Sequence, residues 1–143
     1  MGVAFLMTGP TAEQLADFQG VAGAHTVGSE DGGPGIPLFG WSTVAGDLRV
    51  RHFVGLHALQ LIPLAVFFLR TKISVTGVDF VGVGYLIVVG LLTAQALAGQ
   101  SVVAPSPAFA LGIIAAIAVP LTAAVICGPR AETDVDSERP APS

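Results

Sequence analysis

Residues 108–127 read AFALGIIAAIAVPLTAAVIC, twenty positions without a charge. At about 1.5 Å per residue, such a helix matches a hydrocarbon core about 30 Å thick. Two further stretches meet the same test. Residues 50–69 read VRHFVGLHALQLIPLAVFFL, and residues 80–99 read FVGVGYLIVVGLLTAQALAG. The whole chain agrees with them: 143 residues, 52% apolar, 11% charged, with a mean hydropathy of +0.76. A soluble domain carries about a quarter charged residues because its surface faces water. The alternative, buried helices of a soluble fold, needs amphipathic helices to cover them, and the sequence offers none. The expected fold is an all-α integral membrane protein of three transmembrane helices, with the lipid bilayer as its first partner.

The rest of the chain divides around those spans. Region 1–49 holds an apolar start, a short helix and a glycine-rich polar loop, region 50–127 the helical bundle, and region 128–143 an acidic tail expected to be disordered. RTKISVTGVD and QSVVAPSP make short connections, as hairpins of helices require. Arg70, Lys72, Arg130 and Arg139 fall on one side of the membrane and Arg49 and Arg51 on the other. By the positive-inside tendency, the C-terminus is expected in the cytoplasm of a bacterial cell and the loop outside its inner membrane. MGVAFLM is apolar but too short to span, and lacks the basic region and cleavage site of a signal peptide. It is expected to be the end of a fourth span. TAEQ places Thr11 three residues before Gln14, the spacing of a capping box. Six Lys and Arg make no basic footprint, so nucleic acid is not an expected partner. One cysteine, Cys127, excludes an intrachain disulfide and a thiolate cluster.

Chemistry is concentrated where the loop meets the first span. With His52 set to zero at 100° per residue, Arg49 falls near 60°, Gln60 near 80° and His57 near 140°. These four form a polar stripe on one face, expected to point toward other helices or a wet cavity because lipid exposure is costly. Gln95 of the second span is expected to reach that stripe, making a polar patch of His57, Gln60 and Gln95 inside the bundle. Trp41, Asp47, Arg49 and His52 are expected to meet at its mouth, with Asp47 and Arg49 paired and Trp41 at headgroup level. A cofactor site at Arg49, His52, His57, Gln60 and Trp41 would suit a quinone, whose oxygens accept hydrogen bonds. Haem would need a facing histidine from outside these three spans, which contain no other. A metal site would draw on His25, His52, His57 and Asp47. The five-residue separation of His52 and His57 is poor for two helical ligands, which sit three or four apart. Small residues at Gly90, Ala94 and Ala98, and at Ala108, Gly112, Ala116, Pro120 and Ala124, are expected to pack helices together, within the bundle or between protomers. Pro120 is expected to kink its helix.

Two runs, GPGIPLFGWSTVAGDLRVRHFVGLHALQLIPL and QALAGQSVVAP, resemble a family of uncharacterised bacterial multi-pass membrane proteins. The resemblance spans about 10–105. It implies an additional N-terminal apolar helix in the relatives, Pro where this chain has Arg51, and Arg where it has Ala98. It implies no activity. The leading expectation is a non-enzymatic membrane subunit or accessory protein, alone as a homo-oligomer or within a larger complex. A redox component binding haem, metal or quinone at His52 and His57 comes second. A small transporter or proton conductor is third, weakened by spans without carboxylates and by the lack of internal repeats.

Overall fold

The computed structural model describes residues 2–18, 20, 22–69 and 73–128. The cations Arg70, Lys72, Arg130 and Arg139, and the tail from 129 onward, lie outside the described residues. In chain order the elements are α1 (Gly2–Thr8), α2 (Ala12–Ala16), β1 (Thr26–Val27), β2 (Gly46–Asp47), α3 (Leu48–Leu69), α4 (Val75–Leu97) and α5 (Pro107–Ile126). Helices α3, α4 and α5 are each long and apolar enough to cross a membrane. The chain is therefore an α-helical membrane protein.

Local chemistry sets the helix limits a few residues from those read by hydropathy. Ser74 caps α4, its hydroxyl accepting from the Gly77 N–H at 3.1 Å, so α4 begins before the apolar run does. As a result Asp79 lies inside α4, which corrects the expectation of spans free of carboxylates. Gly99 then takes φ 71°, a left-handed turn that ends the helix. Pro107 opens α5, where its missing N–H costs nothing. The capping box at α2 forms in both directions: Gln14 N–H donates to Thr11 Oγ1 and Thr11 N–H to Gln14 Oε1. Gln14 also ties down the loop, with its side chain bonded to both the N–H and the C=O of Gly23.

α4 lies in the middle, with α3 along one side and α5 along the other, and the α4–α5 seam is the more extensive. That seam is built on absent side chains. A β-carbon at Gly84 would lie 2.6 Å from Pro120 Cγ and 2.8 Å from the Ala116 carbonyl oxygen. Gly77 sits similarly against Ala124. The small stripe expected on α5 thus packs as read, at Ala116, Pro120 and Ala124. Within this bundle the stripe on α4 makes no seam: Gly90, Ala94 and Ala98 are exposed, and Gly77 and Gly84 make the approach to α5. The α3–α4 seam is looser and is pinned by Tyr85, whose hydroxyl donates to the Val54 carbonyl at 2.6 Å. Large residues such as Leu59, Leu86, Leu111 and Ile126 face outward, as lipid solvation permits.

Burial is greatest at the loop end. Ala45, Leu48, Val50 and Ala96 form an apolar cluster there. β1 and β2 pair antiparallel, Thr26 with Asp47 and Val27 with Gly46. The ribbon lies directly on the end of α4, where a β-carbon at Gly46 would overlap the Ala96 carbonyl. The glycine-rich loop is therefore folded over the end of the bundle. A second turn, closed by Thr43 N–H to Pro34 C=O and Ile36 N–H to Trp41 C=O, carries the aromatic residues outward. α1 packs against α3.

Candidate functional site

Asp47 organises the junction of loop and membrane. It precedes the first residue of α3 and caps it, Oδ1 accepting from the Arg49 N–H at 2.9 Å. Oδ2 accepts from the Ser42 N–H at 2.9 Å and from Arg49 Nη2 at 2.7 Å, while Arg49 Nε lies 3.0 Å from Oδ1. The expected Asp47–Arg49 pair is present and is forked, the geometry that suits guanidinium and carboxylate. Burial of the carboxyl raises its proton affinity. The Arg49 side chain, the Ser42 and Arg49 N–H groups and the Arg49 charge outweigh that and hold its pKa below the usual value. Arg49 also donates to the Gly40 carbonyl, which clamps the aromatic turn to the helix.

Behind this pair lies a buried polar knot. The Ser42 hydroxyl accepts from the Ala45 N–H, and the Ser42 carbonyl accepts from the Ser101 hydroxyl at 2.9 Å. The Ser101 carbonyl in turn accepts from Gln95 Nε2 at 2.8 Å. Ser42 and Asp47 belong to one of the two runs that carried the family resemblance, and Gln95 and Ser101 to the other. The two runs are therefore spatial partners. Ser42 and Ser101 were not candidates from sequence; only their places inside those two runs marked them.

The stripe on α3 is present but points away from α4. Small residues set the direction: Gly55 abuts Val89, and Arg51, Gly55, Ala58 and Ile62 lie within about 60° of one another at 100° per residue. Arg49, Phe53, His57 and Gln60 occupy the opposite face, where Phe53 and Gln60 are exposed. The polar patch of His57, Gln60 and Gln95 inside the bundle does not form. Gln95 is buried at the loop end with Ser101, and Gln60 faces outward. His57 Nδ1 lies 2.8 Å from the Phe53 carbonyl of its own helix. Its ring stacks on Phe53 at 3.9 Å between centroids, Phe53 meets Trp41 edge-on at 5.5 Å, and Trp41 stacks on Phe39 at 4.8 Å. Trp41 and Phe53 thus wall the same face. His52 is half-buried and stands apart from this stack.

The four residues considered for a metal are divided among other duties. His25 pairs with Asp31, Nδ1 to Oδ2 at 2.6 Å, and Asp47 is taken by Arg49. Among the described residues no three of His, Cys, Asp and Glu converge. Asp31 also accepts from the His25 and Thr26 N–H groups, so it stabilises the bend leading into β1.

The residue that sequence reasoning passed over is Arg51. It lies at the centre of the inward face of α3 and is 0% exposed. Its signal was available in Gly55 and Ala58, whose small size marks the face that approaches α4. Comparison with protein-family models, with curated proteins and with solved structures gives no match.

Proposed function

We propose that the chain is a non-enzymatic membrane subunit or accessory protein that assembles through the outward face of α3. The observation that carries this reading is Gln60, exposed in the middle of a spanning helix and aligned with His57. An amide and an imidazole directed away from the helix's own neighbour are costly in lipid and gain hydrogen bonds from an adjoining helix. We place the protein in a bacterial inner membrane, with the glycine-rich loop outside and the C-terminus in the cytoplasm. We group it with the bacterial multi-pass proteins that it resembles.

Cysteine cross-linking in native membranes tests the assembly. In a Cys127→Ser background, Gln60→Cys labelled with a maleimide–benzophenone is expected to give a photo-crosslinked protein adduct, and Leu86→Cys on a lipid-facing surface of α4 is not. The adduct's mass separates a second copy from a different subunit. Absence of an adduct at Gln60, or equal adducts at both positions, overturns the reading.

A second reading rests on the rings of Phe39, Trp41, Phe53 and His57 beside the Arg49 guanidinium. This apolar wall with a cation at its edge suits a flat redox cofactor, a quinone before haem or a metal. The spectrum of purified protein before and after reduction, with extraction of bound quinone, decides it. A reducible chromophore that His57→Ala removes supports the redox role, and a featureless spectrum with no quinone extracted refutes it.

A further inference from the structure

Residues 32–46 contain no charge and hold Ile36, Leu38, Phe39, Trp41 and Val44. Within them 36–41 close a turn, in which the Ile36 N–H donates to the Trp41 carbonyl and the Gly40 N–H to the Ile36 carbonyl. Leu38 stands at its tip. It is 97% exposed, more than any other large apolar residue described. Its φ of 77° is the only positive value at a described residue other than glycine. Leucine is disfavoured there because its β-carbon crowds the following carbonyl, and turns that need such a φ ordinarily take Gly or Asn. Exposed to this degree, the side chain buries nothing within the chain that offsets the strain. The turn lies against the spanning part of α3: Phe39 and Trp41 meet Phe53 edge-on, at 6.4 and 5.5 Å between centroids. Phe53 is five residues into α3, about 7.5 Å along its axis. Phe39, Phe53 and Leu56 are also exposed, so apolar surface continues from the tip onto α3.

We propose that this turn is a lipid anchor, with Leu38 and Phe39 inserted at the headgroup–acyl boundary of the leaflet on the loop side. Apolar groups of interfacial segments rest about 5–10 Å into that boundary, the level at which the Phe53 contacts hold the turn. Removing Leu38 from water offsets the cost of its backbone conformation. The Arg49 guanidinium, bonded to the Gly40 carbonyl, puts a cation at the base of the turn, as a segment lying among lipid phosphates requires. The shape of the tip also favours lipid. Leu38 projects as a knob, for which a protein partner needs a matching hole, whereas acyl chains deform around it. The anchor holds the loop from a second side: the β1–β2 ribbon seats it on α4, and the inserted tip seats it on the membrane beside α3. It does not rest on the assembly reading, since Gln60 lies about 10 Å further along α3 than Phe53.

The test is fluorescence quenching of the full chain in phosphatidylcholine nanodiscs. In a Cys127→Ser background, Leu38→Cys carries a polarity-sensitive fluorophore, and Glu30→Cys, at an exposed acidic position of the same loop, carries it as the aqueous reference. The label at 38 is expected to emit further to the blue than that at 30. It is also expected to lose intensity when the lipid bears a spin label near the top of its acyl chain, and to resist aqueous iodide. The label at 30 is expected to respond to iodide alone. Iodide quenching at 38 equal to that at 30 places the tip in water and overturns the proposal. Shielding of 38 from both quenchers means that protein covers the tip, and overturns it equally. Trp41, the only tryptophan of the chain, reports on the same turn without substitution and serves if the labelled variant does not fold. Its emission in wild type is expected to be quenched by lipid brominated near the top of the acyl chain, and absence of that quenching overturns the proposal.

Discussion

Removing the Asp47 carboxylate separates its three tasks. In Asp47→Ala the cap of α3 is lost, at about 1 kcal/mol. The Ser42 N–H, in a buried residue, loses its acceptor, which costs about 1–3 kcal/mol. The Arg49 side chain is 36% exposed, so its share of the pair is screened to about 0.5 kcal/mol. The expected loss is about 2.5–4.5 kcal/mol. Asp47→Asn keeps one carbonyl oxygen for the cap but turns an amide N–H₂ toward Ser42, so it is expected to cost about 1–3 kcal/mol. SDS titration of the purified protein in mild detergent measures both against wild type. The order wild type, Asn, Ala is the prediction; an Ala variant within about 0.5 kcal/mol of wild type refutes the reasoning. The same group gives a pH dependence. Its pKa is lower in the folded state than the ordinary 3.8, so its stabilisation is complete above that value. The stabilisation is lost as pH falls below 3.8 toward the folded pKa, and Asp47→Ala should flatten the acid limb of the stability curve.

Three further predictions follow from separate contacts. Gly84→Leu should force α4 from α5 against Pro120 and Ala116, destabilising by about 1–3 kcal/mol or more; Gly90→Leu, at an open position, should be neutral in the same SDS titration. Tyr85→Phe removes the hydrogen bond to Val54 and should cost about 0.5–1.5 kcal/mol, with the change read as easier separation of α3 and α4. Asp31 is likewise held below its usual pKa: burial raises it, and bonds from Thr26 and His25 outweigh that. Asp31→Ala should therefore speed amide exchange at Thr26 and Val27 while leaving α5 protected.

The spans were legible because lipid tolerates apolar surface in every direction, so hydropathy alone located 50–69, 80–99 and 108–127 to within a few residues. The direction of the α3 stripe was not. Angular spacing relates His52, His57 and Gln60 to one another, but the burial of either face depends on what packs there. Gly55, Ala58 and Val89 settle that, and they place Arg51 inside and Gln60 outside. The Asp47–Arg49 pair was legible because it is local in sequence. The polar knot was not, because Ser42 and Ser101 are 59 residues apart and meet only after two helices have returned the chain to the same side.

That separation has a consequence for biosynthesis. At about 5–20 residues per second, Ser42 waits about 3–12 s for Ser101 to be made. The two can bond only if α3 and α4 have both crossed, bringing positions 42 and 101 to one compartment. Closure of the Ser42–Ser101–Gln95 knot therefore verifies the topology of the first helical hairpin. A molecule with one helix left uninserted keeps an open loop, with the Ser42 carbonyl and Gln95 amide unpaired, the kind of flaw that membrane quality-control proteases can engage.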